Sequence, residues 1–150
     1  MASEILIEFH NRAQIFAWTL WNEIQSKYVL DKSAYIDHIC YRTSSSDNYA
    51  KSKNLISTIA ILLIESQVNG RNIATYRLNE PIIVDFKNSI WIIEIPAPKK
   101  NSHYDEEFEH IEIVTQLNFE DVKLNSGLAK FHKESLEEII KKELKESPTN

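Results

Sequence analysis

The chain has 150 residues, 43% of them hydrophobic and 26% charged, the balance of one globular domain. Its net charge of −5 excludes a general binder of the nucleic-acid backbone, which needs a basic footprint. No apolar run approaches the roughly 20 residues that span a bilayer, no signal peptide is legible in residues 1–30, and the single Cys40 forms no intrachain disulfide. A reducing, cytoplasmic compartment is therefore expected.

In chain order, residues 3–28 predict an amphipathic helix, because Ile5, Leu6, Phe9, Ala13, Phe16, Ala17, Leu20 and Ile24 recur at three- and four-residue steps. Ser3 is its expected N-cap. Trp18 and Trp21 widen the apolar stripe enough to cover a neighbouring element or an oligomer contact. From Ala34 to Thr43 the pattern alternates as in a strand, with Ile36, His38, Cys40 and Arg42 on one face and Asp37, Ile39 and Tyr41 on the other. Ser46 or Asp47 then caps a helix to about Ser57. Two β-rich runs flank Asn69-Gly70, a pair suited to the positive φ angles of a type I′ hairpin turn, and Pro81 is expected to end that ribbon. Ile90 to Ile95 is an apolar strand closed by Pro96, and a polar loop over residues 99–107 leads to another, Glu109 to Thr115. Leu128 to His132 forms a short last strand, and Ser135 with Glu138 makes the capping box of a final helix to about Glu146. Strands interleaved with helices in this order give an α+β class.

Chemistry concentrates on the strands. His38 shares a face with Cys40 and Arg42, and His110 shares one with Glu112 and Val114. Glu94 stands alone among Trp91, Ile92, Ile93 and Ile95, where an ionised carboxylate is costly unless a cation accompanies it. One divalent ion held by two imidazoles and a carboxylate accounts for all three, and that set suits zinc, iron, nickel, cobalt or manganese better than calcium. A structural explanation stands beside it: each histidine hydrogen-bonded internally, and Glu94 paired with Arg42 or a lysine. Arg42 and Glu112 either bind a polar substrate and act as its general base, or pair with one another. His10 and His103 are expected to face solvent, and two glycines in all exclude a Gly-rich phosphate loop.

The segments Asp37-His38-Ile39-Cys40-Tyr41-Arg42, Val68 to Ile73, Leu78-Asn79-Glu80-Pro81, Ile93-Glu94-Ile95-Pro96-Ala97-Pro98, Glu109-His110-Ile111-Glu112-Ile113-Val114 and Lys130 to Ile140 resemble, in order, the YecM family. That resemblance implies the vicinal-oxygen-chelate superfamily, in which paired βαβββ modules form a metal cleft. Here it implies an N-terminal helix over residues 1–30, a first module over 34–98, and a second module over 108–146 shortened to its bounding strands and the C-terminal helix. The implied ligands are His38 and Glu94 from the first module and His110 and His132 from the second, with Arg42 binding substrate and Glu112 as base. It also implies a small oxygen-bearing substrate, Lewis-acid chemistry of the isomerase, lyase or dioxygenase kind, and a homodimer. The shortened module favours a second outcome, a non-catalytic ligand-binding or interaction domain.

Overall fold

The computed structural model, which describes residues 2–103, 105–117 and 128–146, opens with helix α1 (Ala2–Lys27). Strand β1 (Tyr35–Arg42), helix α2 (Ser46–Ile56) and strands β2 (Ala60–Val68), β3 (Arg71–Ile83) and β4 (Ser89–Pro96) follow. Strands β5 (Glu107–Val114) and β6 (Ala129–His132) and helix α3 (Leu136–Glu146) complete the chain. The expected connection between the last two strands includes residues 118–127, which lie outside the described residues. The class is α+β, as the interleaved pattern predicts.

All six strands form one sheet in the order β2-β3-β4-β1-β5-β6. β1 lies parallel to β4 and antiparallel to β5, and β5 lies parallel to β6. A parallel pair needs a long crossover, and α2 with the β2–β3 hairpin supplies it between β1 and β4. The hairpin turn is the one Asn69-Gly70 predicts: φ is 52° at Asn69 and 80° at Gly70.

The helix-side core joins Ala13, Ala17 and Trp21 of α1 to Ile39, Ile93 and Ile111 of three adjacent strands. Two alanines on the inner stripe let α1 approach the sheet closely, and Trp21, 1% exposed, fills the space beside them. The two tryptophans of the widened stripe therefore part company, since Trp18 is 52% exposed. Truncating a side chain buried like Trp21 costs about 3–5 kcal/mol.

Several local expectations are corrected. Ser3 lies inside α1 instead of capping it. Ser45, not Ser46 or Asp47, caps α2: its backbone is extended and its hydroxyl accepts from the Asn48 amide at 3.0 Å. Pro81 does not end β3, which continues to Ile83 past a register break between Arg77 and Ile82. That irregularity removes the need for an amide donor at the proline. Ser135 does cap α3, its hydroxyl accepting from the Glu138 amide. The start of α3 is pinned to β1 by the Leu136 amide, which donates to Asp37 Oδ2 at 2.9 Å. The Arg77–Glu137 ion pair ties it to β3.

Candidate metal centre

The face opposite α1 and α2 carries the polar cluster, and its geometry follows from how β1 and β5 pair. His38 lies opposite Glu112, and Cys40 lies opposite His110. Cys40 also neighbours Glu94 across the parallel β1–β4 ladder. Period-two alternation puts these side chains on one face, and the three donors His38, Glu94 and His110 have ligand atoms all within 4.8 Å of one another. Three strands separated in sequence thus converge on one point.

The β1–β5 ladder has two register shifts, one between Ile36 and His38 and one between Cys40 and Tyr41. The first leaves Asp37 without an opposing residue, and the second leaves Glu109 so. A bulge of this kind turns its extra side chain away from simple alternation. Asp37 accordingly reaches the His38 ring, 2.8 Å from Oδ2 to Nδ1, and Ile36 joins the helix-side core. The alternation expected for Ile36 and Asp37 is therefore reversed. Glu109 reaches across to Cys40, whose thiol donates to Oε2 at 3.8 Å. Sequence reasoning passed over both acids, although each directly precedes a histidine followed by isoleucine.

The two imidazoles sit in opposite electrostatic states. His38 is 1% exposed, and burial opposes its protonation. The Asp37 bond and Glu112 outweigh that and raise its pKa to about 10. Glu112 Oε2 lies 2.5 Å from His38 Nε2, yet Nε2 makes no well-directed hydrogen bond, so the contact is an ion pair. His110 is also buried, its Nδ1 has no partner, and burial with the nearby Lys130 charge lowers its pKa to about 4. Burial raises the Glu94 carboxyl above its ordinary range, with Glu112 adding repulsion and His38 relieving part of it. Glu112 is partly buried, which opposes its ionisation, but contact with His38 carries its pKa down to about 2. Burial and the flanking carboxylates of Glu94 and Glu109 keep the Cys40 thiol protonated.

The remaining expected site residues fall in different places. His132 Nε2 lies 2.9 Å from Glu112 Oε1, so His132 reaches the cluster through Glu112 rather than beside Glu94. The register explains this, because Lys130 stands opposite Glu112 on β6 just as Glu94 stands opposite Cys40 on β4. Arg42 pairs with Glu107 at 2.8 Å and donates to the Asp105 carbonyl, which turns it towards the start of β5 instead of Glu94 or Glu112. His103 is exposed, as expected. His10 is half-buried and lines a groove of about 520 Å³ between α1 and β3 that shares no residue with the cluster.

An acceptor-rich cluster with two buried imidazoles, each having one nitrogen without a hydrogen-bond partner among the described residues, fits a divalent cation. Asp37 is placed as an orienting partner for one of them, as such histidines commonly have.

Comparison with known proteins adds kinship to this geometry. The family profile described as YecM protein matches residues 7–128. An uncharacterised protein of Haemophilus influenzae is 36% identical over 93 residues, covering 61% of this chain and 48% of that one. Protein YecM of Escherichia coli is 33% identical over 81 residues, covering 52% of this chain and 41% of that one. The chain thus spans about half the length of the curated relatives it matches, or less. A solved structure from structural genomics, Protein EC4020, superposes with a TM-score of 0.69 at 25% identity over 89% of this chain and 91% of that one. No described helix is long and apolar enough to cross a membrane.

Proposed function

The chain belongs to the YecM family, and from that premise we propose that it is a divalent-metal-binding protein of the vicinal-oxygen-chelate superfamily, with His38, Glu94 and His110 as ligands. The observation that carries the reading is the convergence of those three donors within 4.8 Å, two of them buried imidazoles with a nitrogen lacking a hydrogen-bond partner. Leaving His110 Nδ1 unpaired costs about 1–3 kcal/mol, and a cation would engage it, replace the Nε2 proton of His38 and neutralise the partly buried Glu94. The superfamily part of the reading is supported by topology: β1 and β4 bound a βαβββ unit as parallel neighbours, and β5 with β6 repeats that parallel pair beside it.

A bound transition metal supplies Lewis acidity towards the oxygens of a small substrate. The chain's own residues prepare the cleft for that role. Asp37 holds Nδ1 of His38 and so directs Nε2 into the cluster. Glu112 faces His38 and His132 and, with a pKa near 2, is ionised at neutral pH. A carboxylate so acidic is a poor general base, which favours binding over turnover. Zinc, nickel, manganese and iron all suit the donor set, and a homodimer completing the shortened module is part of the same proposal.

Tag-free protein is expected to carry about one transition-metal ion per chain, and chelated protein is expected to melt at higher temperature when zinc, nickel, manganese or iron is restored. Metal analysis showing none, together with no thermal shift, overturns the reading. If metal is present, an activity screen with thiol–aldehyde adducts and catechols separates an enzyme from a binder.

A further inference from the structure

The cluster holds a second donor set that the three-ligand site does not use. Cys40, Glu109 and His110 also have ligand atoms within 4.8 Å of one another, and they share His110 with the first set. Cys40 is 1% exposed and His110 is 4% exposed, so this thiol and this ring are buried together. Two features of the chain create the arrangement. Cys40 and His110 are directly opposed across the β1–β5 ladder, and the bulge at Glu109 delivers a carboxylate to the same spot. The unpartnered Nδ1 of His110 is the independent sign of a missing ligand, because this buried nitrogen has no hydrogen-bond partner among the described residues.

We propose that His110 is a shared ligand between two adjoining positions, and that a borderline or soft divalent cation such as zinc, cobalt or cadmium recruits Cys40 and Glu109 in addition to, or in place of, His38 and Glu94. The inference rests on the metal-binding reading above and extends it to metal choice. The first position offers only nitrogen and oxygen, which suits manganese and iron. The second adds sulfur, which selects for the softer ions. The bond made is metal–sulfur and the bond broken is the thiol S–H, whose proton passes to solvent, with no change of oxidation state. A sheet face offering both positions sorts metals by softness through one histidine.

Cobalt(II) distinguishes the outcomes because its visible d–d bands report binding to any donor set, whereas a near-ultraviolet sulfur-to-cobalt charge-transfer band requires a thiolate. Adding cobalt(II) to chelated full-length protein is expected to produce both, and Cys40→Ser is expected to keep the visible bands and lose the charge-transfer band. In competition titrations the same variant is expected to weaken cadmium by roughly ten-fold or more while leaving manganese within roughly two-fold. Visible bands without the charge-transfer band in the unmodified protein overturn this inference and leave the three-ligand site standing. Neither band overturns both. The decisive reading is made on the unmodified protein, so a misfolded serine variant does not blunt it.

Discussion

The two halves of the site, Asp37-His38 on β1 and Glu109-His110 on β5, begin from the same local plan and end in opposite states. Each histidine follows an acid, each acid sits in a bulge, and the strands run antiparallel, so the halves are related by an approximate two-fold exchange. In the β1 half the acid bonds to the ring it precedes, and Glu112 faces the other nitrogen. In the β5 half the acid turns to the Cys40 thiol, and Nδ1 of the ring has no hydrogen-bond partner among the described residues. The difference traces to what lies opposite each histidine: a glutamate across from His38, a cysteine across from His110. One imidazole is clamped and charged, and the other is open and neutral. For a metal this means one ring that Asp37 holds in place but that must release its Nε2 proton to bind, and one whose Nδ1 is already open.

The comparison breaks most sharply on ligand removal. His110→Ala is expected to lower metal affinity by at least about 100-fold, more than the 10–100-fold typical of residues that only orient a ligand, while His103→Ala leaves affinity unchanged. Isothermal titration with zinc and with manganese checks both, and equal behaviour of the two variants removes the ligand assignment.

Acid and base should find the halves from opposite sides. In the metal-free protein, His110 has a folded pKa of about 4 against an ordinary 6.5. The unfolded chain therefore takes up a proton first on acidification, and stability present above pH 6.5 is lost as pH falls towards 4, by on the order of 3 kcal/mol. His38, with a folded pKa of about 10, behaves inversely. Its contribution is whole below pH 6.5 and is lost as pH rises towards 10. Denaturant unfolding of the chelated protein across pH 4–10 should show both slopes. His110→Phe should flatten the acid one alone, and an acid slope that survives the substitution contradicts the neutral, buried state of His110.

Much of this half-site plan is legible in the sequence, and the rest is hidden for two reasons, inserted residues and strand register. The shared face of His38 and Cys40, the shared face of His110 and Glu112, and the isolation of Glu94 among isoleucines all follow from period two, and the structure brings His38, Glu94 and His110 together. Period two does not announce an inserted residue. The bulges at Asp37 and Glu109 were invisible, and with them went the orienting role of Asp37, the core position of Ile36 and the thiol contact of Glu109. Register is equally hidden: the family resemblance implies His132 as a ligand, whereas Lys130 occupies the position on β6 that matches Glu94 on β4. The acid-His-Ile repeat at Asp37-His38-Ile39 and Glu109-His110-Ile111 was the available signal, because two equivalent tripeptides invite an equivalent placement.

Removing the carboxylate charge from each half sharpens the asymmetry further. Asp37→Asn is expected to lower manganese affinity by roughly 10–100-fold, since it weakens the bond that holds Nδ1 of His38. Glu109→Gln touches no histidine through a hydrogen bond and is expected to change manganese affinity by less than about three-fold. Equal losses would mean that the two acids do the same work and that the halves are not divided as described.

The smallest effects concern α3, whose first turn touches the β1 half through Asp37. Two contacts hold its first turn: the Leu136 amide on the Asp37 carboxylate, and the Arg77–Glu137 ion pair. The second joins side chains 42% and 36% exposed, so solvent screens it, and Arg77→Ala is expected to cost no more than about 0.5 kcal/mol from the lost pair. Ser135→Ala removes the cap of the same helix and should cost about 1 kcal/mol. Asp37 Oδ2 meets both the His38 ring and the helix amide, so α3 and the aimed imidazole share one carboxylate oxygen. Loosening α3 through Ser135→Ala should therefore reach manganese affinity, by about two-fold, while Arg77→Ala leaves it unmoved. If both variants lower stability and neither moves the metal, Asp37 holds His38 without help from the helix, and the asymmetry between the halves is a property of the sheet.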